Sequence, residues 1–422
     1  MALSTTTTLP LLHWLRERPA LRSFIAIRAA EELASQILNV AIGWYVYAAT
    51  HDPMSLAYVG LAQFLPTIGM VLIAGYAADH FDRRKIIARS LFIQTLYIAT
   101  FGAWSTATAP SGGPVYLLLL VMSSARAFSS PVMSAMLPHV VIGEDFPRAV
   151  AATSSAFQIC TIVGPAVGGV IYAVAGPATF ALAAALYFLA LAQVRRLARG
   201  HRASGDQVSD LTDKSILAGI CYIRSNRLLL SLISLDLFAV LLGGVTALLP
   251  IYAKDILNVG PIGLGWLRCA PGVGAAVIGL VLAHRTIERG AGKLMLACVA
   301  GFGLATVIFA LSKNYWLSLS ALIAAGGFDM VSMVIRHTLV QISTPNAMRG
   351  RVSAVNWVFV GASNELGEFE SGVAAALFGT VPAAVLGGLG TLAVVALWAR
   401  LFPELRGADR LVPVETKYAG IG

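Results

Sequence analysis

Charged residues are scarce in this sequence: they make up 12% of its 422 residues, about half of the share that is usual in soluble globular proteins. Hydrophobic residues make up 57%. Apolar surface on this scale would aggregate in water, whereas a lipid bilayer accommodates it. The composition therefore predicts an integral membrane protein and argues against a soluble one.

Cysteine-based sites and several catalytic motifs are also missing. The four cysteines, Cys160, Cys221, Cys269 and Cys298, form no CxxC pair, so we predict neither a disulfide framework nor a zinc site. The HExxH motif and the GxxxxGK[ST] motif of ATP-driven proteins are absent. The sequence predicts neither an enzyme nor an ATP-driven pump, with no metal site and no cofactor.

The N-terminus lacks the pattern of a secretory signal peptide. Residues 1–10 are rich in threonine, and the apolar patch at 9–15 is short and contains His13. No small-residue cleavage pattern follows the patch, and the first long apolar run starts only after Arg22. We predict an uncleaved cytoplasmic tail.

Long apolar runs are abundant. A bilayer core about 30 Å thick is crossed by about 20 apolar helical residues, and a search with that length predicts twelve spans. The predicted spans cover residues 23–49, 55–78, 86–107, 114–137, 149–175, 178–195, 228–252, 262–283, 293–311, 315–342, 353–378 and 382–402.

The distribution of Lys and Arg predicts the orientation. With a cytoplasmic N-terminus, the cytoplasmic tails and loops hold 24 of the 30 basic residues, and the external loops hold only Lys254 and Lys313. Such an asymmetry is typical of the positive-inside rule. It explains the net charge of +9 by anionic lipid headgroups rather than nucleic acid. The remaining four basic residues lie inside the predicted spans: Arg28, Arg126, Arg268 and Arg336.

A polar stretch near the middle divides the chain. It runs from Arg195 to Asp213, and residues 214–227 after it could form an amphipathic helix on the inner membrane surface. We predict an all-α protein with two six-helix bundles. The predicted divisions are 1–198 for the N-terminal bundle and tail, 199–227 for the linker, and 228–422 for the C-terminal bundle and tail. This layout is typical of transporters that are built from two structural repeats.

Seven acidic residues lie inside the predicted spans, where ionisable groups are costly and usually functional. Six are candidates for proton coupling: Glu31, Glu32, Asp236, Asp329, Glu365 and Glu368. The seventh, Glu370, points away from the last two. On span eleven, Glu365 and Glu368 share a face, and Glu365 lies about 18 Å into the helix at 1.5 Å per residue. Burial and repulsion would favour proton binding by at least one of them; the alternative is a helix packed by hydrogen-bonded carboxyls.

Further polar residues indicate a wet cavity. On span one, Arg28, Glu32, Gln36 and Asn39 follow one helical face, and Arg28 is expected to pair with Glu31 or Glu32. The alternative is a structural ion pair near the cytoplasmic interface. Asp329 and Arg336 could pair with each other or with acids across the cavity, and Asp236 stands alone on its span. The cavity candidates are Arg28, Gln36, Asn39, Arg126, Arg336, Asn356 and Asn364.

The loop after the second span reads Gly-Tyr-Ala-Ala-Asp-His-Phe-Asp-Arg-Arg-Lys from residue 75. It resembles the signature Gly-x-x-x-Asp-Arg-x-Gly-Arg-Arg of major facilitator transporters, although His80 and Asp82 depart from it. The resemblance implies a cytoplasmic gate, whereas the alternative is a plain positive-inside anchor. The matching residues are Gly75, Asp79, Arg83 and Arg84.

The fifth span is interrupted by a glycine- and proline-rich run. Gly164 and Gly168 allow close helix contact, and Pro165 removes a backbone donor and kinks the helix. With Gly169, the run resembles the Gly-Pro-x-x-Gly-Gly motif of facilitator-superfamily antiporters and exporters, which implies export. The alternative is ordinary tight packing.

The similarity extends over nearly the whole chain, through Arg126-Ala-Phe-Ser-Ser-Pro, residues 247–255, Arg349-Gly-Arg-Val-Ser and Ser363-Asn-Glu-Leu-Gly-Glu-Phe-Glu. These segments resemble the enterobactin-exporter and macrolide-efflux-like branch of the superfamily. The resemblance implies the major facilitator fold and proton-driven export of a small organic molecule from the bacterial inner membrane. We expect a monomer that binds a small-molecule substrate and no nucleic acid. A nickel-type metal exporter, a uniporter and a transporter-like receptor or scaffold remain open.

Overall fold

A computed structural model of the chain describes residues 11–107, 113–141, 145–197, 213–285, 287 and 289–409. Throughout this part of the chain the regular structure is helical. The helices are α1 Leu11–Arg16, α2 Pro19–Thr50, α3 Pro53–Gly69, α4 Val71–His80, α5 Arg83–Ala107, α6 Gly113–Val140, α7 Phe146–Ala175, α8 Thr179–Val194, α9 Asp213–Ser225, α10 Arg227–Gly243, α11 Leu249–Ile251, α12 Gly260–His284, α13 Ala291–Leu311, α14 Tyr315–Ile342, α15 Asn346–Phe378, α16 Thr380–Leu401 and α17 Pro403–Gly407.

The described residues form two compact units. Unit 1 contains the described parts of Met1–Ile42 and Leu65–Gln207, and unit 2 contains those of Gly43–Phe64 and Val208–Gly422. The C-terminal end of α2 and most of α3 therefore belong to unit 2. The predicted division at residues 198 and 228 stays a prediction, because most of the linker lies outside the described residues.

Eight helical stretches in the described residues are long and apolar enough to cross a membrane. One of them, Phe146–Val194, spans 49 residues and contains both α7 and α8. The other predicted spans coincide with α2, with α3 and α4, and with α15. Helices α2 and α15 have 32 and 33 residues, but several charges lower their hydropathy, and the second span is split at Met70. Twelve spans stay a prediction.

In unit 1, α7 packs closely on α2 at two glycines. A Cβ atom on Gly164 would lie 2.5 Å from Gln36 Cβ, and one on Gly168 would lie 2.9 Å from Ile37 Cα. Larger residues would push the helices apart. Pro165 and Gly169 are buried beside them, and α7 continues through this proline as one helix.

Helix α1 is fixed to the start of α7 by Trp14. The indole is 2% exposed and its Nε1 donates a hydrogen bond to Asp145 Oδ1 at 3.1 Å. Arg18 forms an ion pair with the same carboxylate. The guanidinium groups of Arg18 and Arg148 lie 4.9 and 4.7 Å from the indole centroid, where cation–π attraction is effective. We call these four residues the Trp14 clasp.

In unit 2, the seventh predicted span is broken. Helix α10 ends at Gly243, a 3₁₀ turn covers Val245–Leu248, and a π-helical turn covers Tyr252–Ile256. Pro250 lacks a backbone donor, so one hydrogen bond of an α-helical ladder is lost here. Ser371 Oγ on α15 donates to the Gly244 carbonyl at 2.7 Å and satisfies an acceptor at the break.

Helix α9 lies against the beginning of α15. A Cβ atom on Gly219 would lie 3.0 Å from the Arg351 carbonyl oxygen, and Ile223 is buried in the apolar core that α10, α13 and α14 share. Part of the predicted amphipathic linker helix is thus packed onto the helix that carries Glu365 and Glu368.

Candidate transport site

Glu32 is the centre of a polar network in unit 1. Its carboxylate accepts hydrogen bonds from Gln36 Nε2 at 2.7 Å, from Thr161 Oγ1 at 3.1 Å and from Arg126 at 3.4 Å. These donors come from α2, α7 and α6. A buried carboxylate is tolerated when several donors and a cation satisfy it, so the network holds three helices together around one charge.

Arg126 extends the same network towards accessible space. It donates to Ser35 Oγ at 2.8 Å, and 48% of its side chain is accessible compared with 5% for Glu32. Glu31 accepts a hydrogen bond from Ser129 at 3.2 Å and is attracted by Arg126. A half-accessible guanidinium in the middle of a span is costly against lipid and is expected to face water.

Arg28 was expected to pair with Glu31 or Glu32, and of these two acids it acts on Glu31. Its guanidinium carbon lies 5.3 Å from the Phe157 ring centroid, and it attracts Glu31 less strongly than Arg126 does. The ion pair of Glu32 is formed with Arg126 on another helix. Asn39 lies partly buried one turn beyond Gln36 on α2.

Asp236 and Arg336 form a buried ion pair between α10 and α14. The closest atoms are 2.5 Å apart, and the side chains are 8% and 4% exposed. Asp329, two turns before Arg336 on α14, also acts on both charges. The expectation that Asp236 stands alone is therefore wrong, and two carboxyls share one arginine.

The acids of α15 face different surroundings. Glu368 is attracted by Arg268 on α12, Glu365 has one buried carboxyl oxygen, and Glu370 lies beside Ser371. The charge that acts on Glu368 is that of Arg268 rather than that of Glu365.

The two predicted asparagines of α15 also differ. Asn356 is buried, whereas Asn364 is exposed and donates to the Val360 carbonyl at 3.0 Å. The structure therefore does not bring Asn364 into the acid clusters.

The predicted cytoplasmic gate is described only in part. Gly75 and Asp79 lie on α4, but the surroundings of Gly75 and the side chain of Asp79 are outside the described part of the structure. Arg83 begins α5, and Arg84 donates to the Arg195 carbonyl at 2.6 Å. A gating role stays a prediction.

Several residues of these clusters were not singled out from the sequence. Ser35 and Thr161 supply hydroxyl partners, and such residues are too common in membrane helices to be recognised by type. Arg268 had a recognisable signal, because an arginine inside an apolar span is rare. Its partner on α15 became visible only with the tertiary structure.

The two units differ in their balance of charges inside the helices. Unit 1 has two acids and two arginines away from the helix ends: Glu31, Glu32, Arg28 and Arg126. Unit 2 has five acids and two arginines: Asp236, Asp329, Glu365, Glu368, Glu370, Arg268 and Arg336. Among the described residues, five acids against two arginines give these helices of unit 2 an excess of three acidic groups. In an apolar environment such groups are stable when they bind a proton or another cation.

Comparison with known proteins adds a family profile and a set of relatives. A profile described as transmembrane secretion effector matches residues 16–415. The enterobactin exporter EntS of Citrobacter koseri is 27% identical over 411 residues, which cover 96% of each chain. EntS of Escherichia coli O157:H7 is 26% identical over 417 residues, which cover 97% of this chain and 98% of the exporter.

Solved structures of membrane transporters share the fold. The nucleoside transporter NupG superposes with a TM-score of 0.70 at 14% identity, covering 91% of this chain and 99% of NupG. A bacterial homolog of the human lysosomal transporter Spinster superposes with a TM-score of 0.67 at 13% identity, covering 92% of this chain and 96% of the homolog. At these identities the likeness concerns the fold alone.

Proposed function

Because the chain belongs to the transmembrane secretion effector family of the major facilitator superfamily, we propose that it exports a small organic molecule by proton antiport. Members of this family are transporters and not enzymes. The chain is an integral membrane protein, and we place it in the bacterial inner membrane.

The proposed architecture has twelve membrane-spanning helices in two six-helix bundles, residues 1–198 and 228–422, with both termini in the cytoplasm. It is supported by the 24-to-2 division of basic residues between cytoplasmic and external loops. The working unit is a monomer that requires only the proton gradient as its energy source.

The observation that carries the antiport proposal is the unequal charge balance of the units. Unit 2 holds the excess carboxyls, so we assign proton binding to this unit, with Glu368 and Glu365 on α15 as the first candidates and Asp329 as the next. Unit 1 is balanced, and its accessible Arg126 is a substrate-binding candidate with Gln36 and Asn39.

The cycle combines these assignments with alternating access. A carboxyl of unit 2 takes up a proton from the external side, and the neutral acid favours the change to the inward-facing state because no bare charge has to be buried. The proton leaves to the cytoplasm, and substrate binds there. The substrate-loaded protein then returns outward, so one gradient drives opposite movement of proton and substrate.

The substrate class is proposed to be siderophore-like or drug-like. The curated relatives are named enterobactin exporters, and the half-accessible Arg126 offers a cation for electron-rich oxygen atoms. A metal exporter of the nickel type and a uniporter are the alternative transport functions. A transporter-like receptor or scaffold, which would move no substrate, is the weaker alternative.

The test uses purified protein in liposomes that contain a pH-sensitive dye. Entry of enterobactin, erythromycin and Ni²⁺ is followed with and without an imposed pH gradient, and a protonophore collapses the gradient as a control. We expect transport of an organic probe that depends on the gradient and is accompanied by opposite proton movement. A substrate flux that is the same with and without the pH gradient would exclude antiport. Proton-coupled flux of Ni²⁺ and of neither organic probe would favour the metal exporter.

Two variants and a matched control test the site assignment. Glu368→Gln and Glu365→Gln remove candidate proton carriers. The control Glu17→Gln changes an exposed glutamate between α1 and α2, far from α15 in the sequence. We expect at least one α15 variant to lose proton-driven transport and Glu17→Gln to retain it. Unchanged coupling in both α15 variants would move the assignment to Asp329.

A further inference from the structure

The turn between α2 and α3 contacts the π-helical turn of unit 2, and both segments belong to that unit. The Lys254 ammonium lies 2.9 Å from His51 Nε2 and 3.5 Å from the Ala48 carbonyl oxygen. It also lies 5.7 Å from the Tyr47 ring centroid, and the Tyr47 hydroxyl donates a hydrogen bond to Asp255. We call Tyr47, His51, Lys254 and Asp255 the His51 cluster.

Both sides of this contact are fixed by further hydrogen bonds. Tyr252, the first residue of the π turn, is buried and donates to the Ala310 carbonyl at 2.9 Å. Its ring centroid lies 4.5 Å from that of Phe309, so the π turn is fixed to the end of α13. On the opposite side, Thr50 at the end of α2 is hydrogen-bonded to Ser55 on α3 at 2.8 Å. The two turns therefore present the side chains of the cluster from defined positions.

His51 follows the last residue of α2 with a φ of 52°, a left-handed conformation that is common just after a helix. The last carbonyls of a helix lack intrahelical donors, and this end attracts cations. Lys254 supplies such a cation from another element, at the Ala48 carbonyl. An ammonium can only donate hydrogen bonds, so His51 Nε2 has to be the acceptor, and the imidazole of the observed contact is neutral.

Protonation of His51 is incompatible with this contact. A protonated imidazole has two N–H donors and no acceptor, so it cannot accept from Lys254, and it places a second positive charge beside the ammonium. The imidazolium would itself be the cation at the end of α2, where positive charge is favoured. A proton on His51 and the Lys254 ammonium therefore compete for the same helix end.

The other ionisable groups around His51 do not oppose this exchange. Among the described residues they are Tyr47 on α2, Asp52, which is next in the chain, and Asp255, which is next to Lys254. Asp52 Oδ1 accepts a hydrogen bond from the Met54 amide at 3.0 Å. Both carboxylates attract an imidazolium. Aspartate usually titrates well below the pH range of histidine, so the charge that changes between about pH 5 and 8 is that of His51.

We propose that the His51 cluster is a pH-sensitive latch on the external side. Protonation of His51 releases Lys254 from the end of α2, and the α2–α3 turn parts from the π turn. The inference rests on the proposed orientation and antiport, because that orientation places both turns outside. External acid then opens unit 2 on the side from which protons enter in the proposed cycle, and the latch closes when external protons are scarce.

The direction of the pH effect follows from the number of bound protons. The closed latch requires a neutral His51, whereas the open latch allows it to bind one proton. Acid therefore favours the open form, and closure is favoured above the range in which histidine titrates. Because one proton is involved, the ratio of open to closed protein changes by at most about tenfold per pH unit.

A distance measurement between two spin labels tests the latch without a substrate. The labels are placed on Tyr58→Cys in α3 and Ile262→Cys in α12, which are 47% and 44% exposed and lie outside the cluster. The four native cysteines are replaced by alanine, and the protein is held in lipid nanodiscs. Double electron–electron resonance is recorded at about pH 8 and about pH 5. We expect a longer distance to gain about tenfold over the shorter one at the acidic pH.

Three variants identify the group that responds to acid. His51→Gln keeps a hydrogen-bond acceptor that gains no charge, so we expect the shorter distance at both pH values. Lys254→Gln removes the competing cation, and we expect the same mixture of distances at both pH values. His284→Gln is the matched control, since it changes an exposed histidine at the end of α12, and it is expected to respond as the wild type does.

The outcomes separate the latch from the function on which it rests. A wild-type distance that acid does not change would exclude the latch, even if the flux experiment shows proton antiport. An acid response that persists in His51→Gln or in Lys254→Gln would exclude it as well. A response that both variants lose and His284→Gln keeps would establish the latch, and a wild type without coupled flux would then remove the antiport proposal alone. If His51→Gln does not fold, Lys254→Gln still decides the question.

Discussion

Arg336 on α14 forms its buried ion pair with Asp236 on α10, 100 positions earlier in the chain, and not with Asp329, which lies two turns before it on the same helix. The pair fixes α10 to α14 in the interior of unit 2. Asp329 then remains as a second carboxyl within reach of the same arginine. One guanidinium that two carboxyls share provides a place where a proton and a cation can replace each other.

Removing Arg336 is expected to destabilise unit 2 strongly. Arg336→Gln leaves Asp236 buried without its cation, and breaking a buried pair by removing one partner costs about 3–5 kcal/mol. The double variant Arg336→Gln/Asp236→Asn is expected to be more stable than the single one, because no charge is left uncompensated. Thermal unfolding of the purified proteins measures this, and a double variant less stable than Arg336→Gln would contradict the role of the pair.

Two glycines of α15 are expected to respond in opposite ways to alanine. At Gly372 the new Cβ atom would meet the Ala57 backbone at 2.7–2.8 Å, so α3 has to move and the stability falls by about 1–3 kcal/mol. At Gly361 no atom lies within 4 Å of the new Cβ, and the higher helix propensity of alanine contributes up to about 1 kcal/mol. Melting temperatures of the two variants, compared side by side, test the contact; equal shifts would mean that α3 and α15 are further apart.

The Trp14 clasp gives a graded prediction. Trp14→Ala removes a fully buried indole and is expected to cost about 3–5 kcal/mol, whereas Trp14→Phe loses mainly the hydrogen bond to Asp145, about 1 kcal/mol. Limited trypsin digestion is a convenient assay, because Arg16 offers a cleavage site two residues after Trp14. Cleavage there is expected to increase in the order wild type, Trp14→Phe, Trp14→Ala. Identical digestion of all three would show that the clasp does not hold α1 in place.

The Glu32 network predicts a change in substrate handling rather than in proton coupling. Glu32→Gln removes the counter-charge of Arg126 in a unit whose charges are otherwise balanced, so the position of the guanidinium is expected to change. In liposomes we expect KM for the organic probe to rise several-fold while the ratio of protons to substrate stays that of the wild type. Glu368→Gln is the comparison variant, for which we expect proton coupling to be lost. A coupling defect in Glu32→Gln equal to that of Glu368→Gln would place proton binding in unit 1.

The sequence predicted the helical class and the membrane setting well, for a physical reason. Apolar runs of bilayer length have few stable forms other than helices in lipid, and residues such as Glu32, Arg126 and Arg336 are conspicuous there because charges are so costly. Their positions along the chain were therefore visible without coordinates.

Their partners were not visible, because helical spacing reports only neighbours on the same helix. It offered Glu31 or Glu32 as partners of Arg28, although the ion pair of Glu32 is made by Arg126 across the helix contact. It also left Asp236 alone. The break after Gly243 was also unforeseen. It depends on Pro250 together with Ser371, which satisfies the Gly244 carbonyl from another helix.

The distance along the chain between Trp14 and Asp145 has a consequence for biosynthesis. A ribosome makes residue 14 long before residue 145, and at typical rates of 5–20 residues per second the intervening 131 residues take on the order of ten seconds. During that interval the indole has neither its acceptor nor the Arg148 guanidinium, and four predicted spans enter the membrane. The N-terminal segment is the first part of the chain to emerge. Its contacts with Asp145 and Arg148 nevertheless form late, after the intervening helices have been inserted.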